Sequence, residues 1–305
     1  MPETNIPIHG PEPIPAVPAE LNSNLPTGIN LEDLRPPEAG TFNPGDTLTV
    51  LQCNAKDIRD PAVGEVGSLY PEQAKTTEEH AKVFFTDIFE GLNLAERDAV
   101  SIIVMAGDST LITPGDSGIR DSHKRSVDTG AEVIKGIRRA VAETGARPEI
   151  FTNGDKPLEV SHLRDLNVLQ DGHKPNNIRF MESMIGKYGI GLGLWAAYEN
   201  DTERKTREDL GVEGPDDIAE RVSNIVEVSD TIAAAHRSGK PLQRVIVWNI
   251  GNYDNISPYA KSHILGVDPR DHYLPIQKGA GIVIQTAATD NARTTHIQGQ
   301  EFSVS

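Results

Sequence analysis

Apolar residues gather along this chain in short continuous runs, separated by stretches in which they recur at helical spacing. TLTVLQC (from Thr47), SIIVMAG (Ser101 to Gly107), RVIVWNI (from Arg244) and GAGIVIQTA (from Gly279) have the length and β-branched content of strands buried on both faces. Ala81, Phe84, Phe85 and Ile88 line one face of a helix that opens at Pro71 and stops at Gly91. Val127, Ala131, Ile134, Ile137, Arg138 and Val141 recur at the spacing of a second, stopped by Gly145. A third opens at Pro215, with Ile218, Val222, Ile225, Ile232 and Ala235 on one side, and Ile256 to Leu265 reads as a further helix. Strands alternating with helices predict an α/β fold, here a three-layer α/β/α sandwich around a mostly parallel central sheet.

Three stretches depart from that pattern. Residues 1–45 hold 10 of the 21 prolines among Asn, Glu and Gly, too few large apolar groups to offset the entropy of ordering, so they are expected to form an extended arm. Residues 148–214 show weaker periodicity. EIFTNG and LEVSHLRDLNVL hold short strand candidates, whereas Asn177 to Gly186 and Gly193 to Leu210 read as charged helices, so the segment is expected to be a helical insertion over the sheet edge. Residues 291–305 are polar and expected to fray. The folded domain is then residues 46–290, and no internal repeat is visible.

Composition narrows the classes of partner. The 305 residues carry a formal net charge of -16, so the summed field opposes nucleic-acid backbones and anionic lipid surfaces. A single cysteine, Cys53, excludes an internal disulfide framework. No apolar run is long enough to span a bilayer and the N-terminus lacks signal-peptide features, which places the chain in the cytoplasm as an expectation. The nine histidines show no metal-site spacing, and neither metal nor cofactor is expected. A homo-oligomer, or a protein or phosphorylated small molecule as partner, stays open.

In open α/β sheets ligands bind beyond the carboxyl ends of the strands. Three loops fall there: Cys53 to Pro61, Asp108 to Arg125, and Asn249 to Ser257. Collected at one sheet edge they would bring Lys56, Arg59, Lys124 and Arg125 around a pocket, a plausible anion site unless these are solvated loop charges. His123 lies in the same loop as Arg125.

The order of these features resembles the histidine phosphatase (phosphoglycerate mutase-like) superfamily over roughly Thr47 to Gln285. The resemblance rests on a first strand ending in a short polar loop, on SHKRSVDTGAEVIKGI from Ser122, and on VIVWNIGNYDNISPYAKSHILG followed by YLPIQKGAGIVI. It implies a phosphate pocket in which Arg125 stands for the family's second phosphate-binding arginine. The family's Arg-His-Gly motif falls on Cys53, Asn54 and Ala55, its second histidine falls on Asn252, and Asp254 stays close by. A histidine nucleophile attacks phosphorus through a basic ring nitrogen, whereas the nitrogen of an asparagine amide is delocalised into its carbonyl. What the resemblance implies is therefore a pseudo-phosphatase that binds a phosphorylated or polar ligand, or a protein partner, through Cys53, Asn54, Lys56, Arg59, His123, Arg125, Asn252 and Asp254.

Two alternatives belong to other classes. An active phosphatase or phosphomutase would place its nucleophile on His123 or Cys53. Cys53 to Arg59 spells C-x5-R, but Asp57 and Asp60 would hold the thiol protonated, and a small buried apolar residue at a strand end is the simpler reading of Cys53. A structural assembly component would instead use the N-terminal arm.

Overall fold

The first long apolar run forms β1 (Thr47–Cys53), buried at every position. The chain then passes through α1 (Pro71–Glu90) and the short α2 (Leu94–Asp98) into β2 (Val100–Gly107), also buried throughout. A separate ribbon of β3 (Leu111–Ile112) and β4 (Ile119–Arg120) precedes α3 (Ser122–Thr144), which Gly145 ends at φ +69°. There follow β5 (Glu149–Phe151), β6 (Leu158–Val160), α4 (Pro175–Tyr188), α5 (Leu192–Glu199), α6 (Arg204–Asp209) and α7 (Pro215–His236). The chain closes with β7 (Arg244–Gly251), α8 (Tyr253–Tyr259), a π-helical turn (Ala260–Ile264), β8 (Gly281–Thr286), β9 (Arg293–Ile297) and β10 (Gln300–Ser303). This computed structural model describes residues 34–38, 40–58, 62, 64–65, 67–107, 111–112, 119–120, 122–160, 174–189, 192–271, 274 and 276–305. Side chains are described for all of these except residues 111–112, 119–120, 122–123, 160, 192 and 253–254.

The main sheet runs β10-β9-β8-β1-β7-β2-β5, with β6 also on β2. Its centre is parallel: β1 pairs with β7, and β7 with β2. The β8 side is antiparallel. Alternation along β7 divides its side chains between two cores. Val245 and Val247 pack with Val222, Ile225, Ile256 and Tyr259 beneath α7 and α8. Ile246, Trp248 and Ile250 pack with Phe84, Phe85, Ile134 and Ile137 beneath α1 and α3. Burial on both faces explains why the central strands read as unbroken apolar runs. A third cluster, with Phe180, Met184, Leu194, Tyr198 and Ile218, joins α4, α5 and the start of α7. Among the described residues no helix is long and apolar enough to cross a membrane.

The close packing of α3 on α1 depends on Gly136. A Cβ there would lie 2.4 Å from the Glu78 carbonyl oxygen and 2.8 Å from the Lys82 amide nitrogen, both backbone atoms of α1. Gly136→Ala is expected to lower stability by about 1–3 kcal/mol through overpacking, even though alanine gains roughly 1 kcal/mol over glycine in a helix. Urea unfolding checks this; an unchanged midpoint would show that the two helices separate freely.

Four expectations need correction. Residues 291–305 do not fray: β9 and β10 form a hairpin that extends the sheet, because Thr295 and Ile297 turn inward in alternation and the Thr295 hydroxyl donates to the Val283 carbonyl at 2.6 Å. Gly193 to Leu210 is not one helix. Asp201 at φ +51° breaks it, and its carboxylate takes the Arg207 guanidinium in a two-pronged pair at 2.6 and 2.9 Å. The expected loop after Ile250 collapses to one residue, because pairing with β1 carries β7 to Gly251 and α8 starts at Tyr253. The end of the expected arm joins the body, where Phe42 is buried in the α1/α3 core and lies under the Arg244 guanidinium. The remainder of that arm, residues 1–33, lies outside the described residues.

Candidate functional site

β1 and β7 end side by side, with Cys53 opposite Gly251. The Asn54 amide then donates to the Gly251 carbonyl at 2.8 Å, so the ladder carries one step past the strand and sets Asn54 beside Asn252. On the other flank Cys53 is clamped to the turn before β8, its amide donating to Ala280 and its carbonyl accepting from Gly279. Only glycine fits at 281, where a Cβ would lie 2.0 Å from the Leu51 carbonyl oxygen. The start of α3 lies across the end of both strands and supplies Arg125, Ser126 and Thr129, one helical turn.

Asn252 precedes α8 as its N-cap residue but makes no side-chain cap bond. An N-cap asparagine ordinarily accepts from the helix's first free amides. Here the amide is committed elsewhere. Arg125 NH2 donates to its Oδ1 at 2.8 Å, and Asn54 Nδ2 donates to the same oxygen at 2.9 Å. Because a guanidinium can only donate, the Asn252 atom facing it must be the oxygen, which settles the orientation of both amides. The second prong of Arg125, NH1, donates to Asp57 Oδ1 at 3.1 Å. Asn54 Nδ2 also lies 3.4 Å from the Ser126 hydroxyl, and the Thr129 hydroxyl accepts from the Ala55 amide while donating back to the Arg125 carbonyl.

Asn54 is fully buried and Asn252 nearly so. Asn54 Oδ1 and Arg125 Nε are buried without a hydrogen-bond partner among the described residues. Buried polar atoms are nearly always satisfied, so these two call for partners that the described residues do not supply. The donors and acceptors of three side chains converge here, and the two amides among them carry no basic nitrogen lone pair.

No protein family model matches the sequence, and no curated protein matches it. Solved structures do resemble it. Phosphoglycerate mutase from Bacillus anthracis str. Sterne is similar at 13% identity with a TM-score of 0.45, covering 85% of this chain and 95% of that one. Mycobacterial hydrolase 1 is similar at 11% identity with a TM-score of 0.39, covering 83% of this chain and 97% of that one. Neither likeness assigns an activity to this chain.

Of the residues expected at the pocket, Asn54, Arg125 and Asn252 come together. Of the four cations expected around the pocket, Lys56 and Lys124 meet other groups. Lys56 is exposed, with its ammonium 5.3 Å above the Tyr70 ring. Lys124 turns to the Ser68 hydroxyl at 2.6 Å and to Asp128 at 3.2 Å. Consecutive residues on a helix face different directions, which is why Lys124 and Arg125 part. Cys53 is buried in the α7/α8 core, as the simpler reading of it holds, and its sulfur lies 3.9 Å from the Lys278 ammonium. Arg59 lies outside the described residues. His123 falls in the first turn of α3 and Asp254 in the first turn of α8, both without described side chains. Sequence reasoning assigned no site role to Ser126 or Thr129, and named Asp57 only for its effect on the neighbouring thiol. Thr129 was findable, one turn after Arg125 on the same helix face.

Proposed function

We propose that this chain is a histidine-phosphatase-like protein without phosphohistidine chemistry, whose pocket binds a polar or phosphorylated ligand and does not turn it over. The observation that carries this reading is the 2.9 Å hydrogen bond between Asn54 and Asn252, with Arg125 on the same oxygen. These are the two positions at which the sequence resemblance expects histidines and the one at which it expects a phosphate-binding arginine. They are far apart in the chain and meet at the ends of adjacent central strands. A pocket with the architecture but without the nucleophile loses many powers of ten in rate, of which positioning alone recovers part.

The test is turnover of p-nitrophenyl phosphate, with intact mass recorded after exposure. The native chain is expected to show no turnover above buffer and no phosphoryl adduct. The Asn54→His, Asn252→His, Asp57→Asn variant, which restores the family's two histidines and frees the second prong of Arg125, is expected to gain turnover. Native turnover that disappears in Arg125→Ala would sink the reading, since it would place working chemistry in this pocket.

A further inference from the structure

Arginine serves a phosphate best when its forked N–H groups are free to meet two oxygens at once. In this pocket both terminal nitrogens are already engaged, NH1 by Asp57 and NH2 by Asn252. The Arg125 and Asp57 side chains are only 11% and 19% exposed, so water and salt screen the pair weakly.

Asp57 does not sit on a loose loop tip. It forms an antiparallel bridge with Leu69, and three backbone hydrogen bonds join the segments on either side: Ile58 amide to Ser68 carbonyl at 2.7 Å, Gly67 to Ile58 at 2.8 Å, and Tyr70 to Lys56 at 3.2 Å. The carboxylate is therefore delivered to Arg125 by fixed backbone. The same hairpin-like segment supplies Glu65, 3.7 Å from the Lys124 ammonium, which Asp128 approaches from its own helix at 3.2 Å. Both cations at the start of α3 thus carry internal carboxylate partners.

We infer that Asp57 sets the charge class of the pocket: it fills one prong of Arg125, so the pocket admits an uncharged or zwitterionic hydrogen-bonding group and rejects a phosphate dianion. This rests on the reading of the pocket given under Proposed function and narrows its ligand. An approaching dianion meets a guanidinium already neutralised, and a carboxylate of like sign held at ion-pair distance from it. An amide, urea or similar group carries no such penalty.

The experiment measures binding of orthophosphate and of vanadate to the full chain by titration calorimetry, with melting curves to establish that each variant is folded. The native chain is expected to bind both anions weakly. Asp57→Asn, which keeps shape and removes charge, is expected to bind orthophosphate at least about tenfold more tightly, equivalent to about 1.4 kcal/mol. Asp57→Ala is expected to gain similarly and guards against a folding fault in the first variant. Asp57→Glu, which keeps the charge, is expected to show no gain, and adding Arg125→Ala to Asp57→Asn is expected to abolish it. Equal orthophosphate affinity in the native chain and both neutral variants overturns the inference, as does a gain that survives loss of Arg125. The reading of the pocket as non-catalytic falls to the turnover result instead, so the two failures are separable.

Discussion

Glu199→Ala is expected to cost about 3–5 kcal/mol of stability, measured by urea unfolding, because it strips the countercharge from a buried ammonium. The Lys261 ammonium lies 2.6 Å from Glu199 Oε1, and the two side chains are 0% and 3% exposed. The same carboxylate oxygen accepts from the Ser257 hydroxyl at 2.6 Å and from the Leu274 amide at 3.1 Å. Glu199 is the last residue of α5, whereas Lys261 lies in the π-helical turn after α8, so the pair ties these two elements together. Replacing both, as Glu199→Leu with Lys261→Met, is expected to recover most of the loss, since burying neither charge removes the desolvation cost along with the attraction. A cost under about 1 kcal/mol for Glu199→Ala would mean that water reaches the pair.

The pair also carries a pH signature. Burial pushes the Lys261 ammonium below the ordinary lysine range, and the pull of Glu199 only partly offsets it. Between that lowered folded value and the ordinary lysine value, the unfolded chain binds more protons than the folded one. Stability conferred by this group therefore rises with pH across the window. The difference in unfolding free energy between the native chain and Lys261→Met is expected to shift in favour of the native chain as pH increases there. A shift in the opposite direction would show that Glu199, and not burial, governs the lysine.

Trp248→Ala is the second large effect, expected to cost about 3–5 kcal/mol as a cavity in the α1/α3 core. Trp248 stacks on Phe85 with ring centroids 5.5 Å apart and meets Phe84 edge-on at 5.1 Å, while its indole nitrogen donates to Gln52 Oε1 at 2.8 Å. Deleting the ring removes both aromatic contacts and leaves a buried amide oxygen without its donor. Trp248→Phe retains much of the apolar volume and is expected to cost about 1–3 kcal/mol, chiefly through the orphaned Gln52. Urea unfolding followed by far-UV circular dichroism reads both variants. If the alanine variant lost less than about 1 kcal/mol, the core would have to collapse around the vacancy more completely than close-packed interiors do.

Much of the fold was legible because its determinants are local. The unbroken runs at Thr47, Ser101 and Arg244 announce strands buried on both faces, and each became one. Pro71, Gly91, Gly145 and Pro215 mark helix ends because proline suits a first turn and glycine suits the residue after a last one. The β9–β10 hairpin was invisible for the opposite reason: its residues are polar enough to resemble a tail, and only pairing with β8 makes them strands. The break at Asp201 likewise depends on the Arg207 fork it receives.

The candidate site divides along the same line. The resemblance to histidine phosphatases brought Asn54, Arg125 and Asn252 forward among eight site residues, whereas position at the strand ends alone brought forward Lys56, Arg59, Lys124 and Arg125. That the two asparagines share a hydrogen bond across a separation of 198 residues, and that Asp57 reaches Arg125 across 68, was decided by the parallel alignment of β1 with β7 and the passage of α3 over their ends. Periodicity is written by backbone hydrogen bonds between near neighbours, so it can be read from composition along the chain. Which side chains meet at the sheet end, and therefore that the pocket's arginine comes with its own carboxylate, follows from crossovers and registers that only the folded chain establishes.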